Sequence, residues 1–119
     1  MSRVVDVENA VDWTAHVLES RVPVLVDFWH DACHWCHVQD PELRELAEDY
    51  SGSVKFVRLN IFGSETNRAI AQHYQVMAAP FLLLFCNGQA VSTLIGYRPK
   101  ARLKEDLDKM LSTNGRCRR

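Results

Sequence analysis

The chain has 119 residues, of which 47% are hydrophobic, and a formal net charge of -1. This composition suits one small globular domain, and a charge near zero offers no basic field for a nucleic-acid partner. Acidic residues precede any apolar stretch, so we expect no signal peptide, no membrane anchor and a reducing, cytoplasmic location. Four cysteines are too few for a disulfide scaffold, and Cys86 in an apolar run and Cys117 in a polar tail are expected to be unpaired.

Helix and strand patterns alternate along the chain and predict one α/β domain over residues 1–111. In chain order, the pattern first predicts a strand at 4–5, a helix over 8–19, a strand over 22–29 and a helical pattern from Val38 to Tyr50. A strand over 54–61, a helix that Ser64 caps, strands at 81–86 and 89–95, and a helix over 99–111 are predicted to follow. The strand at 81–86 is apolar throughout, which is typical of burial on both faces. Asn87-Gly88 is a strong hairpin signal, so the next strand should return antiparallel. Residues 112–119 are predicted to form a flexible basic tail.

The most informative motif is Cys33-His34-Trp35-Cys36, which follows the buried strand at 22–29 and opens a helix. Two residues between the cysteines let the sulfurs close a small ring, while free N–H groups and the helix dipole stabilise a thiolate on the first one. This arrangement predicts thiol–disulfide exchange, with Cys33 as the attacking thiol and Cys36 as the resolving thiol. The only cofactor-like group expected is the redox-active Cys33–Cys36 disulfide itself.

Three other interpretations of the motif stay open. Cys33-x-x-Cys36-His37 is also the attachment pattern of c-type haem. His30, His34 and His37 surround the thiols and could complete a zinc site with them. The two cysteines could also be buried and structural, as cysteine often is. We expect neither haem nor metal, because no export segment precedes the motif and a helix start splays the histidines apart.

Several segments resemble the thioredoxin family in order and spacing. They are the run Val24–Trp29, the C-x-x-C six residues after Asp27, Pro41, the run Arg58–Ile61, Ala79-Pro80, the run Leu82–Phe85, Asn87-Gly88 and Ile95-Gly96. The resemblance covers roughly Val4 to Leu111. It implies a thioredoxin fold, in which helices flank both faces of a central mixed β-sheet. It also implies a dithiol at the edge of the molecule, with Pro80 opposite it in a cis peptide.

The same resemblance implies what the protein does. It implies a monomeric protein-disulfide oxidoreductase that acts on disulfide-containing proteins and is recharged by a thioredoxin-reductase-type electron donor. The reducing compartment expected above favours work as a reductase. The alternatives are an oxidase or isomerase-like member, or a non-catalytic thioredoxin-fold binding or assembly module. The implied catalytic residues are Cys33, Cys36 and Asp27, and the substrate-binding residues are Trp29, His34, Trp35, Ala79, Pro80 and Gly96.

Departures from the family pattern lie around the motif. Thioredoxin has Gly-Pro where this chain has His34-Trp35, and it has Trp, Asp and Thr where this chain has Ala32, Phe62 and Phe81. A histidine that is partly protonated near neutral pH stabilises a nearby thiolate, which makes the disulfide more oxidising. Trp35 adds an apolar rim, so the identity of the partners is not carried over from the family.

Asp27 is a carboxylate in an otherwise apolar strand, where an unpaired charge costs several kcal/mol. The family resemblance implies that it relays a proton to Cys36. Arg58 on the next strand can pair with it, because the guanidinium stays charged. Both a proton relay and a structural ion pair fit these residues, and the relay is the favoured interpretation.

Overall fold

A five-stranded mixed sheet forms the centre of the computed structural model, which describes residues 3–114. The strands are β1 (Val4–Val7), β2 (Val24–Trp29), β3 (Lys55–Asn60), β4 (Phe81–Cys86) and β5 (Gln89–Ile95). Their spatial order is β1-β3-β2-β4-β5. Strands β1, β3 and β2 are parallel, whereas β4 is antiparallel to β2 and β5 is antiparallel to β4. The predicted mixed sheet is confirmed.

Four helices complete the fold within residues 3–114. They are α1 (Ala10–Trp13), which continues as a π-helical turn over Thr14–Leu18, α2 (His34–Asp49), α3 (Glu65–His73) and α4 (Lys100–Thr113). The first begins two residues later than predicted, because the side chain of Asn9 caps it by accepting the Asp12 N–H at 2.8 Å. Ser64 caps α3 in the same way, as predicted, through the N–H of Asn67 at 3.0 Å.

The sheet separates two hydrophobic layers, so helices cover both of its faces. One layer joins α2 and α4 to one face through Leu43, Leu46, Leu103 and Leu107. The other joins α1 and α3 to the opposite face through Trp13 and Ala71. Every residue of β4 is buried, which confirms the strand predicted to be covered on both sides.

The Asn87-Gly88 turn joins β4 to β5 as an antiparallel hairpin, as predicted. Both residues have positive φ, at 54° and 78°, which suits the backbone of a tight hairpin turn. At position 88 a Cβ would lie 2.8 Å from the carbonyl oxygen of Leu18. Glycine is therefore required here by both conformation and space.

The end of α4 differs slightly from the prediction. The helix runs to Thr113 instead of Leu111, because the hydroxyls of Ser112 and Thr113 donate to the carbonyl of Lys109 in the last turn. Of the predicted flexible tail, residues 115–119 lie outside the described residues.

Cys86 is disulfide-bonded, so the expectation that it is unpaired is wrong. Its side chain is buried at the end of β4 among apolar residues. A buried cysteine in an apolar run looks like a small hydrophobic residue, so the sequence pattern gives no sign of the bond. Cys117, the other cysteine expected to be unpaired, lies outside the described residues.

Candidate active site

The Cys33–Cys36 disulfide lies at the start of α2, with its two Cα atoms 5.3 Å apart. Cys33 occupies the N-cap position, where its Sγ accepts the backbone N–H of Cys36 at 3.1 Å. The N–H of Cys33 itself donates to the carbonyl of His30 at 3.2 Å, which fixes the loop leaving β2. A sulfur held at a helix N-terminus is stabilised as a thiolate by the cap hydrogen bond and the helix dipole.

The two sulfur-bearing residues differ in access. Cys33 retains 9% of its surface exposed, whereas Cys36 is completely buried. Cys33 is therefore the more accessible residue of the two. This asymmetry agrees with an attacking Cys33 and a resolving Cys36.

A buried charge cluster joins β2, β3 and α2 below the dithiol. Asp27 is completely buried, and its Oδ2 lies 3.4 Å from Nε of Arg58, the residue in register on β3. The same Nε lies 3.2 Å from Oδ1 of Asp40 on α2. The guanidinium also covers the ring of Trp29, with 4.0 Å between its carbon and the ring centroid. The predicted Asp27–Arg58 pair is thus present, and Arg58 shares its charge with a second carboxylate.

Burial raises the pKa of Asp27 from 3.8 to about 6, although the charge and hydrogen bond of Arg58 oppose the shift. The nearby Asp40 carboxylate adds to the rise. Within residues 3–114, Oδ1 of Asp27 has no hydrogen-bond partner. A carboxyl group with a pKa near neutrality can take up and release a proton under working conditions.

The Ala79–Pro80 bond is cis, as the resemblance implied. The carbonyl of Pro80 accepts the N–H of Gly96 at 2.9 Å, which ties the approach to β4 to the end of β5. Since Phe81 pairs with Phe28, this connection lies beside the carboxyl end of β2, where the dithiol loop begins. The fold therefore brings three of the predicted substrate-binding residues, Ala79, Pro80 and Gly96, to the end of the sheet that carries the dithiol.

Trp35 forms an aromatic rim next to the cysteines. Its side chain is 53% exposed and stacks on Tyr97, with ring centroids 5.2 Å apart and an interplanar angle of 30°. The exposed ring of His34 meets the indole edge-on at 5.1 Å. Both residues between the cysteines are thus accessible to a partner.

A family model described as Thioredoxin matches residues 4–109. The chain belongs to the thioredoxin family. Thioredoxin 1 of Synechococcus elongatus is 42% identical over 95 residues, which cover 80% of this chain and 86% of the relative. Thioredoxin of Haemophilus influenzae is 39% identical over 103 residues, or 87% of this chain and 92% of the relative. The chloroplastic Thioredoxin M-type of Spinacia oleracea is 38% identical over 104 residues, or 87% of this chain and 56% of the relative.

Family membership together with the Cys33–Cys36 pair confirms the thiol–disulfide interpretation of the motif. The protein is a protein-disulfide oxidoreductase that exchanges disulfides through this dithiol. The chemistry transfers two electrons, because oxidation of the two thiols to one disulfide matches reduction of one substrate disulfide to two thiols. The predicted fold, family and enzyme class are therefore confirmed.

Among the predicted substrate-binding residues of this thioredoxin-family site, Trp29 contacts the charge cluster. Arg58 covers one face of its half-buried ring, and the ring of His37 meets it at 6.2 Å. Its indole Nε1 is buried and has no hydrogen-bond partner within residues 3–114. Trp29 therefore lies between the dithiol helix and the charge cluster and shields the Arg58 guanidinium.

The histidines near the motif have separate neighbours. The ring of His30 meets Phe62 edge-on at 5.5 Å, and Nε2 of His37 lies 2.7 Å from the carbonyl oxygen of Asp31. Among residues 3–114, no group of three or more histidine, cysteine, aspartate or glutamate side chains is arranged to hold a metal ion.

Sequence reasoning missed the residues that hold the loop after β5. Gln39 is completely buried in α2, and its side-chain amide both donates to the carbonyl of Arg98 and accepts the N–H of Arg98, each at 3.0 Å. The hydroxyl of Tyr97 donates to Glu42, a bond that raises the pKa of Tyr97. A signal was present, because Gln39 occupies the same helical stripe as Leu43 and stands there as a polar residue in an apolar pattern.

Proposed function

We propose that this thioredoxin-family protein is a monomeric, cytoplasmic reductase of protein disulfides that a thioredoxin-reductase-type enzyme recharges. The observation that carries the proposal is the cap geometry of the dithiol. Cys33 is partly exposed with its sulfur bonded to the N–H of Cys36, and Cys36 is buried directly behind it in the helix.

Reduction proceeds in two exchange steps. The Cys33 thiolate attacks one sulfur of the substrate disulfide, forms a mixed disulfide and releases the other substrate sulfur as a thiolate. The Cys36 thiolate then attacks Sγ of Cys33, which releases the second substrate thiol and leaves the Cys33–Cys36 disulfide. An external dithiol or reductase returns two electrons and completes the cycle.

Asp27 is the proposed proton acceptor for Cys36. The resolving thiol must lose its proton before it attacks, and no solvent reaches the fully buried Cys36 directly. With its pKa near 6, Asp27 is mostly ionised at pH 7 and still basic enough to take a proton. Arg58 stabilises the Asp27 carboxylate in the core and is a positioning residue in this mechanism.

The proposed substrate groove runs across the end of the sheet at which β2 ends and the dithiol loop begins. Pro80 is buried there and its carbonyl already accepts the N–H of Gly96, so we place the contact with an extended substrate segment at the half-buried backbone of Ala79. His34 and Trp35 form the accessible rim of this groove, and Trp29 supports it from within.

The test of catalysis is reduction of insulin disulfides with dithiothreitol as the electron source. We expect the wild-type protein to accelerate precipitation of the reduced insulin chains and the Cys33→Ser variant to have no effect. Absence of acceleration by the wild type would support a non-catalytic binding module instead. Absorbance spectra and metal analysis of the same preparation test the expected absence of haem and zinc.

An oxidase or isomerase is the second candidate, and the exposed His34 beside the attacking cysteine favours it. The reduction potential of the Cys33/Cys36 couple separates the two directions. A potential of about -270 mV, which is that of thioredoxin, supports the reductase. A potential of about -180 mV or higher supports the oxidase or isomerase.

The cytoplasmic location is proposed from the bacterial relatives of this chain. Within residues 3–114, no helix has the length and apolar character needed to cross a bilayer. The matched relatives include bacterial thioredoxins as well as chloroplastic ones. Fractionation of cells that express the full chain tests this location, and sedimentation equilibrium tests the monomer.

A further inference from the structure

We propose that Trp35, held in place by Tyr97, is a docking platform for a bulky aromatic side chain that lies next to the disulfide of the substrate. This inference rests on the proposed function and names the class of substrate segment that the site favours. Tyr97, Gln39 and Glu42 act through Trp35 and are positioning residues.

The first step of the argument is the exposed aromatic surface itself. Trp35 stands between Cys33 and Cys36 in the first turn of α2, so its side chain projects from the same turn as the dithiol. One face of the ring is covered by Tyr97 at 5.2 Å, and just over half of the side chain remains exposed. A large, flat and partly exposed ring beside a reactive centre is the kind of anchor that dominates binding at protein interfaces.

The second step is the rigidity of the support. Tyr97 donates its hydroxyl to Glu42, and Glu42 also accepts the N–H of Lys100 at 3.3 Å. The next residue, Arg98, is bound through both backbone groups to the buried amide of Gln39. These contacts fix the loop after β5 onto α2, the helix that carries Trp35. A platform held in this way loses little conformational entropy when a partner binds.

The third step is the charge around the platform. Arg98 pairs with Asp106 at 2.8 Å, and Lys100 lies within 3.6 Å of Glu45 and 3.5 Å of Asp49. The basic residues of this loop are thus compensated within the protein. The surface next to Trp35 therefore favours an apolar aromatic group over a charged one, because aromatic rings gain from stacking as well as from burial.

Two model peptides, each with one disulfide, provide the test. They differ only in the residue next to the cysteine, which is phenylalanine in one and serine in the other. We expect the wild-type protein to reduce the phenylalanine peptide with a KM about ten-fold lower and with a similar kcat. Trp35→Ser should remove this preference.

The positioning role of Tyr97 is tested by Tyr97→Ala, with Tyr97→Phe as the conservative variant. Tyr97→Ala should remove most of the peptide preference and the near-ultraviolet circular dichroism of the stacked Trp35, whereas Tyr97→Phe should retain both. The rate of Cys33 alkylation by iodoacetamide should stay unchanged in both variants. Val11→Ser is the control, because it removes a more exposed apolar side chain from α1 and should leave the preference unchanged.

Three results would overturn the platform. They are equal KM values for the two peptides with the wild type, an unchanged preference in Trp35→Ser, or a Tyr97→Ala effect on kcat and alkylation instead of KM. If the wild type reduces insulin and both peptides equally well, only the platform fails. If it reduces none of them, the proposed function fails and the platform fails with it.

Discussion

Asp27 and Arg58 form a buried ion pair across neighbouring parallel strands, with 3.4 Å between Oδ2 and Nε. Arg58 divides its charge between Asp27 and Asp40, and it also covers the Trp29 ring. Desolvation of Asp27 consequently outweighs the pairing, and the pKa of the carboxyl rises to about 6. The pair therefore does not fix Asp27 in its ionised form. The same residue can serve as an ion-pair partner and as a proton acceptor.

The raised pKa makes folding stability depend on pH through Asp27. Folding favours the protonated carboxyl, so this group lowers the stability of the folded protein as pH rises from about 4 to about 6, and the loss persists above that range. The Asp27→Asn variant cannot ionise at this position, so its stability relative to wild type should improve by about 2 kcal/mol between pH 4 and pH 8. Urea unfolding at both pH values measures the difference. Glu105→Gln, which changes an exposed carboxylate, is the control, and a pH-independent difference for Asp27→Asn would contradict the assignment.

Variants in which one cysteine of the motif is replaced test the roles of the two sulfurs. Cys36→Ser keeps the accessible attacking sulfur and lacks the resolving one, so it should accumulate mixed disulfides with substrate proteins. Cys33→Ser retains only the buried sulfur and should accumulate none. Non-reducing gel electrophoresis followed by mass spectrometry measures the adducts. Equal trapping by the two variants would show that the assignment of attacker and resolver is wrong.

His34 is predicted to tune the reduction potential. An imidazolium next to the thiolate stabilises the reduced form, so His34→Gln should lower the potential by up to ~30 mV for each 1.4 kcal/mol of stabilisation lost. Equilibration with glutathione buffers measures the potential. His73→Gln changes an exposed histidine of α3 and should leave it unchanged. If both variants keep the wild-type potential, His34 has no electrostatic role at the dithiol.

Gln39 is predicted to be important for stability, since its buried amide satisfies both backbone groups of Arg98. Gln39→Ala leaves these groups without partners and opens a cavity below the loop, which should lower the free energy of unfolding by about 2–4 kcal/mol. Thermal or urea unfolding measures the loss. Gln72→Ala on the exposed face of α3 should change stability by less than about 0.5 kcal/mol. A similarly small effect at Gln39 would mean that the loop is held by other contacts.

The elements that the sequence predicted well depend on residues close together in the chain. The apolar run of β4, the turn at Asn87-Gly88 and the cysteine pair at the start of α2 each follow from a few neighbouring residues. Such local signals predicted the order of the elements, the family and the chemistry of the site. The element ends were less well determined, because side-chain caps at Asn9 and hydroxyl bonds at Ser112 decide them within a single turn.

Distant residues decide the rest of the site, and only the tertiary structure shows them. Gln39 and Arg98 are 59 positions apart, and no local pattern indicates that the two meet. The stacking of Trp35 on Tyr97 depends in the same way on packing between separate elements. The sequence by itself determined that this chain is a dithiol enzyme of the thioredoxin family. The tertiary structure decided the pKa of Asp27, which burial raises and the Arg58 charge lowers, and it decided which side chains surround the dithiol at the surface. Both depend on the neighbours of each group in space.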